Sequence, residues 1–212
     1  MATALLERQD VQRLEAAQSE AGVVPYYWTV NAYYHAYEAG VFEDPQRLEL
    51  IHGRIIRKMP QNAPHASLRR RLSRRLRGSM EPPFLVMEES PLRLALDGEP
   101  VPDLFIVTGV EGDYERRHPT QEDAVLVVEV SNTTVAFDLG EKALLYAQAG
   151  IADYWVVLVN ESAIVRHRTP TPEGYQDVTR LAGDDMLAPL AAPEAAWTVN
   201  ALLGREDAPE EN

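Results

Sequence analysis

Two short apolar runs in the middle of the chain each carry an acidic residue. Residues 103–107 and 124–131 are rich in β-branched and aromatic side chains and are bounded by turn residues, a pattern typical of buried β-strands. Asp103 begins the first run, and Glu129 lies inside the second, within the segment Val-Leu-Val-Val-Glu-Val. Burying a carboxylate costs several kcal/mol unless something compensates its charge. Glu129 is therefore a candidate site residue.

The sequence after these runs predicts a strand, a helix and a further strand. Residues 138–149 have the apolar spacing of a helix that ends at Gly150, and residues 154–159 form another strand-like run. A unit of this kind implies a right-handed crossover between parallel strands. We therefore expect an α/β (α+β) fold with a mixed central β-sheet flanked by helices.

Shorter elements are predicted around this centre. Thr29 is a plausible cap for a helix near residues 32–37, and residues 48–51 and 54–59 form a hairpin that turns at Gly53. The other predicted elements are strands over 84–88, 92–96, 163–167 and 175–179, a helix over 198–203 and a mobile surface loop over 108–123.

The chain is long enough to bury one hydrophobic core. The chain has 212 residues, of which 45% are hydrophobic, so we expect one domain with an extension at each end. We expect a helical extension over residues 1–22, a single domain over residues 23–205 and an acidic tail over residues 206–212.

Composition excludes several classes of protein. The chain has no cysteine, so disulfide frameworks, thiolate zinc sites and thiol nucleophiles are excluded, and a reducing cytoplasm is the expected compartment. Neither a signal peptide nor a membrane-spanning run is recognisable, so we expect a soluble protein without a membrane partner. A net charge of -13 argues against nonspecific coating of nucleic acid, because that binding depends on cationic side chains.

One basic cluster stands out in this acidic chain. Residues 69–77 read Arg-Arg-Arg-Leu-Ser-Arg-Arg-Leu-Arg, in a predicted helix whose first turn contains His65. The cluster is either a solvated helix face, with Leu68, Leu72 and Leu76 turned inward, or a contact surface for a polynucleotide.

The two acids could share a metal ion. If their strands are neighbours, the carboxylates of Asp103 and Glu129 approach within a few ångström, where two uncompensated anions repel each other. A divalent cation would relieve that repulsion, and oxygen ligands without cysteine favour Mg²⁺, or Mn²⁺ in its place, over zinc. Lys142, on the following helix, could orient an attacking water or stabilise charge on a phosphate. This combination favours phosphodiester hydrolysis.

The order of several short motifs resembles a known nuclease family. An acid after Pro102, Glu129 in an apolar strand and a lysine on the next helix are similar to the PD-(D/E)XK nuclease superfamily with a relocated lysine. The surrounding sequence, over residues 27–175, resembles its Uma-type family of putative restriction endonucleases. The segments that carry this resemblance are Leu48-Glu-Leu-Ile-His-Gly-Arg54, His65, Pro102-Asp-Leu104, Val128-Glu-Val-Ser131, Asp138-Leu-Gly-Glu-Lys-Ala-Leu-Leu-Tyr-Ala147 and Tyr154-Trp-Val156.

The resemblance implies a restriction-endonuclease-like fold and a Mg²⁺-dependent endonuclease that hydrolyses DNA, often as a homodimer. Asp103 and Glu129 would be the metal ligands, Lys142 the catalytic lysine, and Glu49 a further catalytic acid that is bound through water. In the superfamily the lysine usually lies two residues after the strand acid, where this chain has Ser131. Lys142 must therefore reach in from the helix.

Other functions remain open at this point. A protein on the same fold could bind nucleic acid or regulate without catalysis, and a metal-dependent hydrolase of a smaller phosphorylated substrate is a third possibility. The site residues also have purely structural alternatives. Asp103 could cap a turn, Glu129 could form a buried ion pair with an arginine, and Lys142 could pair only with Asp138, four residues earlier.

The remaining candidates also have structural alternatives. Glu49 lies on an alternating strand and could simply face water. His35 and His65 are interpreted as capping or core-edge residues, and Tyr146 and Trp155 as core residues.

Overall fold

The computed structural model describes residues 25–94 and 97–205, which divide into two compact units. One unit contains the described residues up to Met59 together with Arg93–Pro100. The other contains Pro60–Leu92 and the described residues from Val101 onward. The helix expected within residues 1–22 and the acidic tail over 206–212 lie outside the described residues, so the predicted domain boundaries stay predictions.

The smaller unit combines a helix with a β-hairpin, as the sequence predicts. Helix α1 (Val30–Glu38) begins after Thr29, whose hydroxyl accepts a hydrogen bond from the Ala32 N–H at 3.2 Å. Strand β1 (Leu48–Ile51) pairs antiparallel with β2 (Arg54–Arg57). A small core lies between the helix and the hairpin; its buried members are Val30, Tyr33, Leu48 and Leu50.

A two-residue turn sets the register of this hairpin. His52 and Gly53 have φ values of 47° and 67°, as a type I′ turn requires. A Cβ at Gly53 would lie 2.7 Å from the Cβ of Tyr27, so the backbone conformation and the space both require glycine here. The strand predicted over residues 92–96 is wrong for its described part, where Leu94 forms only an isolated bridge with Gly98.

The larger unit is built on a six-stranded mixed sheet. The strand order is β3-β4-β5-β6-β7-β8, in which β5 and β6 are parallel and the other neighbours are antiparallel. The strands are β3 (Phe84–Glu88), β4 (Leu104–Thr108), β5 (Ala124–Ser131), β6 (Asp153–Leu158), β7 (Ala163–Thr171) and β8 (Gly174–Ala182). The predicted mixed central sheet is thereby confirmed.

The crossover from β5 to β6 contains a helix, as predicted, and its helical part covers residues 135–148. It consists of α3 (Val135–Phe137), a π-helical segment (Asp138–Lys142) and α4 (Ala143–Gln148). Helix α4 packs against β7 and β8. This crossover brings residues of the π-helical segment and α4 to one face of the sheet.

Helix α2 (Ala63–Ser79) covers the sheet and contributes to the main core. Asn62 accepts a hydrogen bond from the His65 N–H at 3.0 Å and so begins the helix. Leu72 and Leu76 are fully buried, and Leu68 packs against the same core, as their spacing predicts.

Smaller elements complete the larger unit. Strand β9 (Met186–Leu187) pairs with β10 (Trp197–Thr198), helix α5 (Val199–Leu203) contacts α2, and a 3₁₀ turn (Glu111–Tyr114) lies in the predicted loop. In the part of the chain that the structure describes, we find no helix with the length and apolar character needed to cross a membrane.

Candidate functional site

The pairing of β4 with β5 places Asp103 and Glu129 side by side. Leu104 lies opposite Val128 in the antiparallel register. Asp103, which precedes Leu104, therefore lies opposite Glu129, which follows Val128. The Asp103 N–H donates to Glu129 Oε2 at 3.4 Å, and the Val130 N–H donates to Asp103 Oδ2 at 2.8 Å. Both carboxylates are buried, with exposed fractions of 4% and 3%.

Two side chains from the crossover helix meet the carboxylate of Glu129. The ε-ammonium of Lys142 and the hydroxyl of Tyr146 each donate to Glu129 Oε1, both at 2.9 Å. Residues four apart on a helix share a face, so the junction of the π-helical segment with α4 directs both donors to one oxygen. Lys142 is 3% exposed, so this is a buried ion pair.

A third buried acid, Asp138, stands one helical turn before Lys142. Burial raises the pKa of its carboxyl above the usual value, while the charge of Lys142 and a hydrogen bond from Thr134 oppose that shift. The Thr134 hydroxyl donates to Asp138 Oδ2 at 2.6 Å, and the Tyr154 hydroxyl donates to the Asp138 carbonyl at 2.8 Å. These contacts fix the π-helical segment above the sheet.

Gln61, just before α2, and His65, in its first turn, both contact Asp103. Gln61 Nε2 donates to Asp103 Oδ1 at 3.1 Å and to Glu89 Oε1 at 2.7 Å. His65 Nε2 lies 3.1 Å from Asp103 Oδ2, and the other ring nitrogen of His65 is buried without a hydrogen-bond partner among the described residues. His65 thus takes part in the cap through its backbone N–H and contacts Asp103 through its ring.

Glu89, which accepts a hydrogen bond from Gln61, and its neighbour Glu88 form ion pairs with arginines of α2. Arg69 pairs with Glu88 and Glu89, and Arg77 and Ser73 donate to Glu88. Burial disfavours the charged form of Glu88, but the hydrogen bonds from Ser73 and Arg77 outweigh it and hold the pKa of that carboxyl below its usual value.

The donor set at the centre fits a hard divalent cation. Asp103, Glu129 and Asp138 are buried acids, whereas Lys142 is the one buried lysine or arginine among the described residues. Carboxylate oxygens in such an acidic surrounding are the ligands that Mg²⁺ prefers. The described residues contain no cluster of three or more acidic, histidine or cysteine side chains arranged to hold a metal. A cation here would therefore be held by Asp103 and Glu129, with further ligands coming from water or substrate, as is usual for Mg²⁺.

The structure brings together three of the four residues predicted from sequence. Asp103, Glu129 and Lys142 form one hydrogen-bonded group. The positive charge that pairs with Glu129 therefore comes from Lys142 and not from an arginine. Asp103 accepts a hydrogen bond from Val130 on the neighbouring strand and does not only cap a turn. Glu49 belongs to the other compact unit, and with 3% exposure it does not face water. Its catalytic role stays a prediction.

Sequence reasoning did not identify three contributors. Gln61 and His65 were not expected at Asp103, and Tyr146 was interpreted only as a core residue, although it is both fully buried and bonded to Glu129. A usable signal was present for Tyr146, which follows Lys142 at the helical spacing of four.

Comparisons with known proteins agree with this architecture. No curated protein matches the chain. Among solved structures, the crystal structure of a putative nuclease of the DUF820 family from Anabaena variabilis is similar, with a TM-score of 0.59 and 16% sequence identity. The match covers 74% of this chain and 90% of that one, and it shows a shared fold. The model of the Uma2 family, described as putative restriction endonuclease, matches residues 30–201, and the chain belongs to that family.

Proposed function

We propose that this protein is a metal-dependent endonuclease that hydrolyses phosphodiester bonds in DNA. The observation that carries the proposal is the contact between Asp103 and Glu129, two buried carboxylates on neighbouring strands with the ammonium of Lys142 beside them. Family membership supports a nuclease-like activity. The predicted cofactor is Mg²⁺, with Mn²⁺ able to replace it, and the predicted assembly is a homodimer.

Hydrolysis adds water across the ester, so one P–O bond forms to the water oxygen and one P–O bond to the sugar breaks. Asp103 and Glu129 would hold Mg²⁺, which when bound would supply positive charge to stabilise the phosphate in the transition state. Lys142 adds a second positive charge at the same place, and the low exposure of the group strengthens that electrostatic effect.

The surrounding residues act as positioning groups. Tyr146 shares an oxygen of Glu129 with Lys142 and so limits the rotation of that carboxylate. Gln61 and His65 contact the two oxygens of Asp103 from the side of α2. Because four side chains restrain the two acids, the acids can meet a cation with little rearrangement.

One observation favours a second candidate, a catalytically silent protein that binds nucleic acid or regulates. Protein donors or His65 already contact both oxygens of Asp103 and both oxygens of Glu129. Two acids whose carboxylate oxygens all have partners within the protein can have a purely structural role.

Cleavage of DNA distinguishes the two candidates. Purified protein is incubated with supercoiled plasmid and with linear DNA in Mg²⁺, in Mn²⁺ and in a chelator. We expect nicks or breaks that need the metal and that fall to background in Asp103→Asn and Glu129→Gln, which keep the shape of each side chain. Glu173→Gln removes an exposed carboxylate from the β7–β8 turn and should cleave like the unmodified protein.

Two results would contradict the proposal. Cleavage that persists in both site variants would come from another site or from a contaminant. DNA binding without cleavage in either metal would support the silent protein instead.

A further inference from the structure

Glu89 is a further acid in line with the two carboxylates of the candidate site. Glu88 lies opposite Leu104 in the antiparallel pair of β3 and β4. Glu89, the next residue, therefore lies opposite Asp103. Because β3 and β5 flank β4, Asp103 has Glu89 on one side and Glu129 on the other. The sheet thus places Glu89 next to a proposed metal ligand.

The backbone of Glu89 has an uncommon conformation. Its φ angle is 44°, in the left-handed region that residues other than glycine rarely occupy. The Glu89 N–H donates to the carbonyl oxygens of Pro102 at 3.1 Å and of Asp103 at 3.4 Å, and these contacts hold the turn. Glycine would adopt this conformation more readily than glutamate. Residues that keep such a conformation are concentrated at functional sites, so we looked for a role of the Glu89 side chain.

One amide group links the carboxylate of Glu89 to that of Asp103. Gln61 Nε2 donates to Glu89 Oε1 at 2.7 Å and to Asp103 Oδ1 at 3.1 Å. An amide nitrogen of this kind carries two hydrogens, so it can serve both carboxylates at once. The other oxygen of Glu89 pairs with Arg69 on α2. Arg69 also pairs with Glu88, so the charge of Arg69 does not by itself require Glu89.

This arrangement determines which end of the Gln61 amide faces Asp103. The amide has a nitrogen that donates and an oxygen that accepts, and a half rotation of the group exchanges them. Two carboxylates on the same side select the nitrogen, because the amide oxygen would repel both. Asp103 alone would make that selection more weakly, since the side chain of Gln61 is only half-buried. Glu89 therefore stabilises the hydrogen bond that Gln61 donates to Asp103 Oδ1.

We propose that Glu89 is a positioning residue of the candidate metal site. By holding the amide of Gln61, it keeps the carboxylate of Asp103 in the orientation that binds a cation. This inference rests on the proposed function, because it takes Asp103 to be a metal ligand. Loss of a hydrogen bond from a surrounding residue to a ligating carboxylate commonly lowers metal affinity by about 10–100-fold. Glu89 should therefore affect the affinity of the site without being a ligand.

Binding of Mn²⁺ to the intact protein tests the proposal without DNA or cleavage. Electron paramagnetic resonance measures free Mn²⁺ during a titration and gives the Kd. Glu89→Ala removes the acceptor that holds Gln61, and we expect the Kd to rise by about 10-fold or more. Glu89→Gln removes the charge but keeps an oxygen that can accept the same hydrogen bond, so it should retain most of the affinity.

Two controls separate the hydrogen bond from charge and from the ion pair. Glu88→Ala removes an adjacent acid that also pairs with Arg69, and its Kd should equal that of the unmodified protein. Gln61→Ala should raise the Kd at least as much as Glu89→Ala does. Because Glu89 is proposed to act through Gln61, the double variant Gln61→Ala/Glu89→Ala should bind Mn²⁺ no more weakly than Gln61→Ala alone.

Three results would overturn the inference. These are an unchanged Kd in Glu89→Ala, a weakening in Glu89→Gln or Glu88→Ala equal to that in Glu89→Ala, and additive effects in the double variant. A nuclease whose Mn²⁺ affinity does not depend on Glu89 would contradict only the inference. A protein whose Mn²⁺ affinity depends on Glu89 but which never cleaves DNA would contradict only the proposed activity. Absence of Mn²⁺ binding would contradict both.

Discussion

The buried ion pair of Lys142 and Glu129 is the most constrained contact in the candidate site. Both side chains are 4% exposed, and their charged atoms are 2.9 Å apart. Water is largely excluded, so each charge depends on the other for compensation. Tyr146 donates to the same oxygen but carries no charge, and it cannot replace the ammonium.

Removing only the lysine should therefore cost more than removing the pair. We expect Lys142→Met to lower the free energy of unfolding at pH 7 by about 3–5 kcal/mol, because the carboxylate of Glu129 is left buried and unpaired. Lys142→Met/Glu129→Gln should recover most of that loss. Urea unfolding measures both, with Arg116→Met as an exposed control that should stay within about 0.5 kcal/mol of the unmodified protein. A neutral effect of Lys142→Met alone would mean that the pair does not hold Glu129 in its charged form.

The sequence could predict which acids are unusual but not all of their neighbours. Glu129 and Asp103 are recognisable because each interrupts or begins an apolar run, and neighbouring strands bring such residues together. Gln61 has no comparable signal, and His65 is recognisable only as one of the residues that carry the family resemblance. Their contact with Asp103 depends on how the start of α2 lies against the end of β4, and periodicity within one segment contains no information about that packing.

At the scale of elements, the crossover between β5 and β6 has one unusual feature. Its middle turn, Asp138–Lys142, is a π-helix, a form that is rare and often found at functional sites. Gly140 lies within it, has no positive φ, and is exposed. A Cβ added at Gly140 would meet no atom within 4 Å. The glycine is therefore not required by space or by backbone conformation.

Replacing this glycine should stabilise the crossover. We expect Gly140→Ala to raise the free energy of unfolding by about 0.5–1 kcal/mol, because alanine loses less backbone entropy on folding. Gly78→Ala, at an equally open position near the end of α2, should give a similar gain and serves as the matched control. Urea unfolding compares the two. A loss of stability at Gly140 together with a gain at Gly78 would show that the π-helical turn itself needs glycine.

Local patterns predicted most elements of this fold, and the exceptions have physical reasons. The hairpin at Gly53 and the run over β5 are determined by local sequence, through turn chemistry and apolar composition. The segment over residues 92–96 has strand-like composition, but its described part belongs to no extended ladder. A strand needs a partner, and the sequence of one segment cannot show whether a partner is present.

At the scale of the whole molecule, acidic and basic side chains are concentrated in different places. The chain has a net charge of -13, the buried carboxylates of Asp103 and Glu129 lie side by side at the candidate site, and Arg70 and Arg74 are exposed on α2. Burying like charges together costs stability unless a cation joins them. A cation that binds the folded protein and not the unfolded chain should therefore stabilise the whole fold.

Calorimetry can test that linkage without relying on catalysis. At a Mg²⁺ concentration of 100 times Kd, binding adds about 2.7 kcal/mol, which for a chain of this size raises Tm by about 5–10 °C. NaCl must be adjusted to hold ionic strength constant, because salt alone screens the net charge. The Mg²⁺-dependent shift should vanish in Asp103→Asn/Glu129→Gln, which keeps the shapes of the two side chains and removes their charges, and it should persist in Glu173→Gln. An equal shift in the double variant would place the cation elsewhere, and the absence of any shift in the unmodified protein would mean that the ammonium of Lys142 and the surrounding hydrogen bonds already satisfy the acids.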